Sequence, residues 1–137
     1  ISEPKCLSRP LYGFENTEHT INNEGPYAFY YHNKIYLAYS GGDARGYLYA
    51  IGMLTANDGD DLCDLSVWEK AKTPIASFAT IPGEYGPGHN SFFWDRDQNL
   101  WIAYHAVTSF EEKIVSSGMR RVYFEQDKTP RFDVIVE

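Results

Sequence analysis

Two side chains in this 137-residue sequence have the type and setting for chemistry: the carboxyl of Glu24 and the imidazole of His89. A carboxyl set among tyrosine and phenylalanine rings loses hydration. That raises its pKa, keeps it protonated and makes it a proton donor. Its plain alternative is a strand-end glutamate bonded to backbone amides. An imidazole in such a place could ligate a cation, touch a bound substrate, or be a satisfied buried polar residue. A repeat links the two residues. Lys34 to Ser40, moved forward 65 positions, falls on Asn99 to His105 without a gap, apolar on apolar and Ala-Tyr on Ala-Tyr. The same shift places Tyr27 on Phe92, Phe29 on Trp94, Asn33 on Gln98 and Glu24 on His89. Repeated hairpin units mark array architectures, of which propeller blades are one. Glu24 and His89 are therefore expected at equivalent places on neighbouring blades, converging on a central channel.

The elements that must position them read as strands. Tyr27 to Tyr31 is aromatic and β-favouring, His32-Asn33-Lys34 makes a turn, and Ile35 to Ser40 returns. Tyr47 to Leu54 reads as a third strand and Ser66 to Lys70 as a short outer one, the four-stranded content of a blade. In the second unit, Ser91 to Trp94 and Leu100 to His105 flank a turn at Asp95 to Gln98. Met119 to Phe124 follows a loop over Val107 to Ser117, and Phe132 to Val136 is the expected fourth strand. Residues 1–22 form a connector punctuated by Pro4, Pro10 and Gly13, with one short strand expected around Leu11 to Phe14; 23–72 are the first blade and 73–137 the second. The fold class is all-β, about two four-stranded antiparallel propeller blades. Two blades leave open edges and half a channel, so further N-terminal blades or self-association are expected. Trp68, Trp94 and Trp101 lie on strands and are expected in the core.

Length and composition set bounds. One domain with a modest core is expected. A net charge of -7 without a basic stripe argues against nucleic acid. No apolar run is long enough for a membrane span, and no charged-then-apolar leader is present. The sequence starts at Ile1 without a methionine, which suggests a processed chain or an excerpt. Cys6 and Cys63 match no metal or redox spacing and read as plain thiols, a disulfide between them being the alternative; the compartment stays open. Asp58, Asp60, Asp61 and Asp64 lack the spacing of a twelve-residue calcium loop and read as a solvated turn.

Several motifs together resemble the C-terminal portion of glycoside hydrolase family 43. They are Asn-Glu-Gly-Pro-Tyr (23–27), Tyr-Ser-Gly-Gly (39–42), Ile-Gly-Met-Leu-Thr-Ala (51–56), Asp-Leu-Ser-Val-Trp (64–68), Lys-Thr-Pro (72–74), Tyr-Gly-Pro-Gly-His-Asn-Ser-Phe (85–92) and Tyr-His-Ala (104–106). The resemblance runs from about Ser2 to Pro130. It implies a five-bladed β-propeller that removes α-L-arabinofuranosyl or β-D-xylosyl units from plant polysaccharides with inversion. It also implies three carboxylates: an Asp base, an Asp that positions the acid and tunes its pKa, and a Glu acid. Glu24 falls on the acid. His89 falls on a central His that helps hold a cation, often calcium, largely through water. The blades bearing both aspartates lie outside this sequence.

On this reading Asn90, Tyr85 and Ser40 line the central channel, and His105 is structural. Arg120 or Arg121 reaches a sugar hydroxyl, a surface ion pair being the alternative for each. Glu84 is the one nearby carboxyl that could replace the missing base. The chain is then read as a glycosidase portion that carries the general acid, acts on arabinose- or xylose-containing oligosaccharides, and lacks the general-base blades. The alternative is a non-catalytic carbohydrate-binding or assembly half-propeller. An invertase-like enzyme is disfavoured, because those carry Glu-Cys-Pro where this sequence has Glu24-Gly25-Pro26.

Overall fold

The structure is a computed structural model that describes residues 3–111 and 113–133. The N-terminal segment is not a plain connector. It makes a 3₁₀ turn at Gly13–Glu15 and a small hairpin of β1 (Asn16–Thr17) and β2 (Thr20–Ile21); the strand expected at Leu11 to Phe14 is replaced by the 3₁₀ turn. The first blade is β3 (Asn23–Tyr31), β4 (Lys34–Gly41), β5 (Ala50–Asn57) and β6 (Glu69–Lys70), antiparallel in that order. The second is β7 (Tyr85–Trp94), β8 (Leu100–Val107) and β9 (Val115–Arg121), three strands among the described residues. A separate pair follows, β10 (Tyr123–Phe124) with β11 (Pro130–Arg131). Of the fourth strand expected at Phe132 to Val136, residues 134–137 lie outside the described residues, and Phe132 and Asp133 are not in a strand.

The core lies between the two blades. Along β8, Leu100, Ile102, Tyr104 and Ala106 turn inward while Trp101, Ala103 and His105 take the other face, the period-two alternation of a strand. They meet Phe29, Tyr36, Ile51 and Met53 of the first blade and Phe132 of the C-terminal segment. Phe29 stacks on Tyr36 with ring centres 4.8 Å apart and meets Phe92 at 4.5 Å. The tryptophans lie outside this core. Trp94 is 44% exposed, and Trp101 and Trp68 are half-buried with their indole N–H groups donated to Asp95 and to the Leu62 carbonyl. Trp101 lies on the face of β8 that it shares with Ala103 and His105, opposite the buried Ile102 and Tyr104.

The repeat is real but its inner strand is offset by one residue. In blade one Glu24 pairs with Ser40 and Tyr27 with Ala38; in blade two Gly88 pairs with His105 and Ser91 with Ala103. Ser40 and Ala38 do map onto His105 and Ala103, but Glu24 then maps onto Gly88, and His89 maps onto Gly25. The cause is the hairpin turn. Blade one turns through two residues, His32 and Asn33, both left-handed as a two-residue turn of this hand requires. Blade two closes Asp95 on Asn99 around three, Arg96 to Gln98. One added turn residue slides β7 by one place. Both inner strands carry the same bulge at the same step, with Gly25 (φ 55°) and His89 (φ 53°) in the left-handed region.

The remaining loops fit their chemistry. Asp60, Asp61 and Asp64 accept hydrogen bonds from nearby backbone amides in a solvated turn. Cys6 and Cys63 are exposed free thiols.

Candidate active site

Glu24 pairs with Ser40 on the first blade's inner strand, half-buried, immediately before the bulge. Its Oε1 accepts a hydrogen bond of 2.7 Å from the Tyr49 hydroxyl. The Tyr49 ring reaches it past Gly88: a Cβ on that glycine would fall inside the ring, so no larger residue leaves the path open. Tyr49 in turn stacks on His105 at 5.7 Å with planes 10° apart, and His105 lies 6.3 Å from the His89 ring, again nearly parallel. Gly25 faces His89 so closely that an added Cβ would sit 3.5 Å from its Nδ1. The carboxyl and the imidazole thus share one end of the interblade space.

The electrostatics differ from the sequence expectation. The Tyr49 hydrogen bond holds the Glu24 carboxyl below the usual carboxylate range; partial burial pushes it up, and Asn22, His89 and His105 reinforce the downward shift. The carboxyl stands at the wall of an open groove of about 190 Å³ that Leu7, Leu37 and Leu54 also line, so desolvation does not dominate. His105 is pushed down by burial and by the neighbouring His89. Burial pushes the Tyr49 phenol up.

Ser40 is fully buried, and its Oγ accepts the His89 backbone N–H at 2.8 Å. The His89 side chain is exposed. Asn90 is buried on the same side of β7 as Phe92, and neither of its amide atoms meets a hydrogen-bond partner among the described residues. Tyr85 packs edge-on against Phe110 at 4.2 Å and against Tyr47 at 6.1 Å. The two arginines have partners within blade two. Arg120 pairs with Glu84 at 2.7 Å and donates to the Tyr104 hydroxyl at 2.7 Å, while Arg121 donates to Asn99 and lies over the Tyr123 ring. Both Glu84 oxygens are taken up by Arg120 and Tyr104, so it is not free to activate a water.

Two residues of consequence, Tyr49 and Glu15, carry no motif in the sequence, and His105 lies in the Tyr-His-Ala run without a functional role of its own there. Tyr49 stands just ahead of β5 and His105 within β8, where burial alone accounts for an aromatic or an imidazole. Glu15, in the supposed connector, is fully buried and accepts from the Leu11 and Tyr12 amides, the Asn23 amide and the Tyr39 hydroxyl, while pairing with Lys70 at 2.5 Å. It ties the N-terminal segment to both edges of blade one, one residue away from the acid.

For the expected calcium, the chain offers little. Among the described residues no three His, Cys, Asp or Glu side chains converge on a point. His89 and His105 present nitrogen, whereas calcium takes six to eight oxygens. These residues do not by themselves make a calcium site.

Similarity to known proteins agrees with the geometry. An extracellular exo-α-(1→5)-L-arabinofuranosidase of Streptomyces avermitilis is 30% identical over 97% of this chain and 29% of its own length. An enzyme of the same description from Streptomyces chartreusis is 38% identical over 73% of the chain and 30% of its own length. The crystal structure of an α-L-arabinofuranosidase from Lactobacillus brevis superposes with a TM-score of 0.84 at 29% identity, covering 96% of this chain and 42% of that one. The chain therefore spans less than a third of the curated relatives it matches, and its two sheets are part of a β-propeller. Residues 3–130 match the family described as glycosyl hydrolases family 43, and the chain belongs to that family.

Proposed function

We propose that this chain supplies the general acid of an inverting arabinofuranosidase- or xylosidase-type glycosidase, removing terminal pentosyl residues from arabinose- or xylose-containing oligosaccharides. The observation that carries the reading is the Glu24 carboxyl, held on one oxygen by Tyr49 at the mouth of an open groove. In an inverting displacement a protonated carboxyl gives its proton to the leaving oxygen. A second, ionised carboxylate about 6.5–9.5 Å away takes a proton from the attacking water on the opposite face. Glu24 serves as the first. The second belongs to blades that this sequence does not include.

The downward shift of Glu24 fits a half-built site. A donor must hold its proton near working pH, and here Tyr49 favours the ionised form. A blade laid over the open groove would exclude water, and a second carboxylate beside Glu24 would repel its charge; both raise the pKa. The chain alone then lacks an activated water and holds its acid ionised. A calcium ion near His89, held through water with its remaining oxygens from outside this chain, belongs to the same proposal; no step of the reaction is routed through it.

The test joins the chain to the N-terminal portion of the Streptomyces avermitilis relative and assays release of nitrophenol from nitrophenyl arabinofuranoside and xyloside. The joined protein is expected to hydrolyse one of them, and the chain alone neither. If the chain instead binds arabinose or xylose oligomers in calorimetry and the joined protein never turns them over, the half-propeller is a sugar-binding module.

A further inference from the structure

We infer that Tyr49 is a positioning residue for the acid, its hydroxyl filling Glu24 Oε1 so that the proton Glu24 gives as an acid is carried on Oε2. The inference rests on the proposed role of Glu24 and adds how its proton is placed. A phenol has one hydrogen, and Tyr49 donates it to Glu24 Oε1 at 2.7 Å. Beside that bond Ser40 Oγ accepts the His89 backbone N–H at 2.8 Å, which ties β7 to β4.

The consequence is chemical. With Oε1 filled as an acceptor, the proton that Glu24 carries as an acid rides on Oε2. Tyr49 is fully buried, so water does not compete for its hydroxyl. The nearly parallel His105 ring and the room left by Gly88 fix where the Tyr49 ring can lie. His89 and His105 are the charged or titratable groups that face Glu24 from blade two, and neither donates to Oε1. The seat of the ring also crosses the blade boundary: His105 and Gly88 of blade two fix the Tyr49 ring of blade one, so the acid is set only when the two blades are docked.

Nuclear magnetic resonance of the 137-residue chain at neutral pH tests this, with Glu carboxyl carbons labelled. In the wild type the Tyr49 hydroxyl proton is expected to exchange slowly with water, and replacing it by deuterium to displace the Glu24 carboxyl carbon line. Tyr49→Phe is expected to abolish that displacement and to release Glu24 into several rotamers while the amide spectrum stays native. Ser40→Ala removes the acceptor of the His89 amide but leaves the Tyr49–Glu24 bond, and is expected to keep the deuterium effect. Absence of a deuterium effect in the folded wild type overturns the inference, and so does a Glu24 rotamer and carboxyl shift unmoved in a native-like Tyr49→Phe. Should Tyr49→Phe fail to fold, the wild-type exchange and deuterium effect decide alone. These signals report the hydrogen bond whether or not Glu24 is an acid, whereas the joined-protein assay reports the acid whether or not Tyr49 positions it.

Discussion

Gly25 and His89 occupy the same step of their two blades, both in left-handed backbone, and they face each other across the blade boundary. Each is the bulged residue that follows the end of a paired ladder segment, Glu24 with Ser40 in one blade and Gly88 with His105 in the other. Glycine takes this conformation without strain, whereas a residue with a Cβ loses roughly 1–2 kcal/mol there. Blade two therefore holds an imidazole where backbone economy would put glycine. His89→Gly is expected to leave stability unchanged or raise it by about 1 kcal/mol. Gly25→Ala is expected to lower it by about 1 kcal/mol through backbone strain alone, since the added Cβ meets the His89 ring at an ordinary contact distance of 3.5 Å. Urea unfolding of both variants checks the pair.

The Glu15 cluster is expected to dominate the stability of blade one. Its carboxylate and the Lys70 ammonium are both shielded from water, and removing one partner strands the other. Glu15→Ala should cost about 3–5 kcal/mol, as breaking a buried pair does. A loss below about 1 kcal/mol in urea unfolding would contradict the assignment.

Acid should unfold the chain through groups whose titration is shifted on folding. Burial pushes the Glu15 carboxyl up, but Lys70, the Tyr12 and Leu11 amides and Asn23 outweigh it, so its folded pKa lies below the ordinary 4.5; Tyr49 does the same for Glu24. A carboxyl lowered on folding adds stability that is full above its unfolded pKa and is lost as pH falls through the folded one. His105, pushed below 6.5 by burial and by His89, is neutral when folded and protonated more readily when unfolded, so it too removes stability as pH falls below 6.5. Stability is expected to decline first below about 6.5 and again below 4.5. In Glu15→Gln the second decline should be visibly shallower in a series of urea melts across pH.

Docking of the blades should depend on Phe92. It meets Phe29, Tyr27 and Phe132 and is almost fully buried. Phe92→Ala is expected to cost about 3–5 kcal/mol and to expose the interblade face to a hydrophobic dye. Two separable blades would instead show a small loss and an unchanged dye signal.

The second strand of each blade was legible because Lys34 to Ser40 and Asn99 to His105 are apolar on both faces in register. Which face meets the core was not: Tyr36 is buried and its equivalent Trp101 half-buried, whereas Ile102 is buried and its equivalent Leu37 half-buried. The register of the inner strands was hidden as well, because one residue added in the surface turn shifts every partner of the preceding strand by one; Phe29 therefore corresponds to Phe93, not to Trp94. Glu24 was legible from its motif, but the direction of its pKa was not. Desolvation depends on what covers the groove, and the opposing Tyr49 hydroxyl comes from the residue just ahead of β5, 25 residues away. Glu15 was hidden for the same reason: a glutamate in a segment rich in proline and asparagine looks solvated until its five partners are placed around it.

The central claim is that Glu24 gives the leaving group its proton, and a single substitution in the joined, active protein tests it most directly. Glu24→Gln keeps the oxygen that Tyr49 bonds and removes the transferable proton. Hydrolysis of an arabinofuranoside with a poor, alkyl leaving group is expected to fall roughly 10²–10⁴-fold in kcat. A substrate whose leaving group needs no proton should lose much less. Equal losses on both substrates, or full activity on the poor one, would contradict the account.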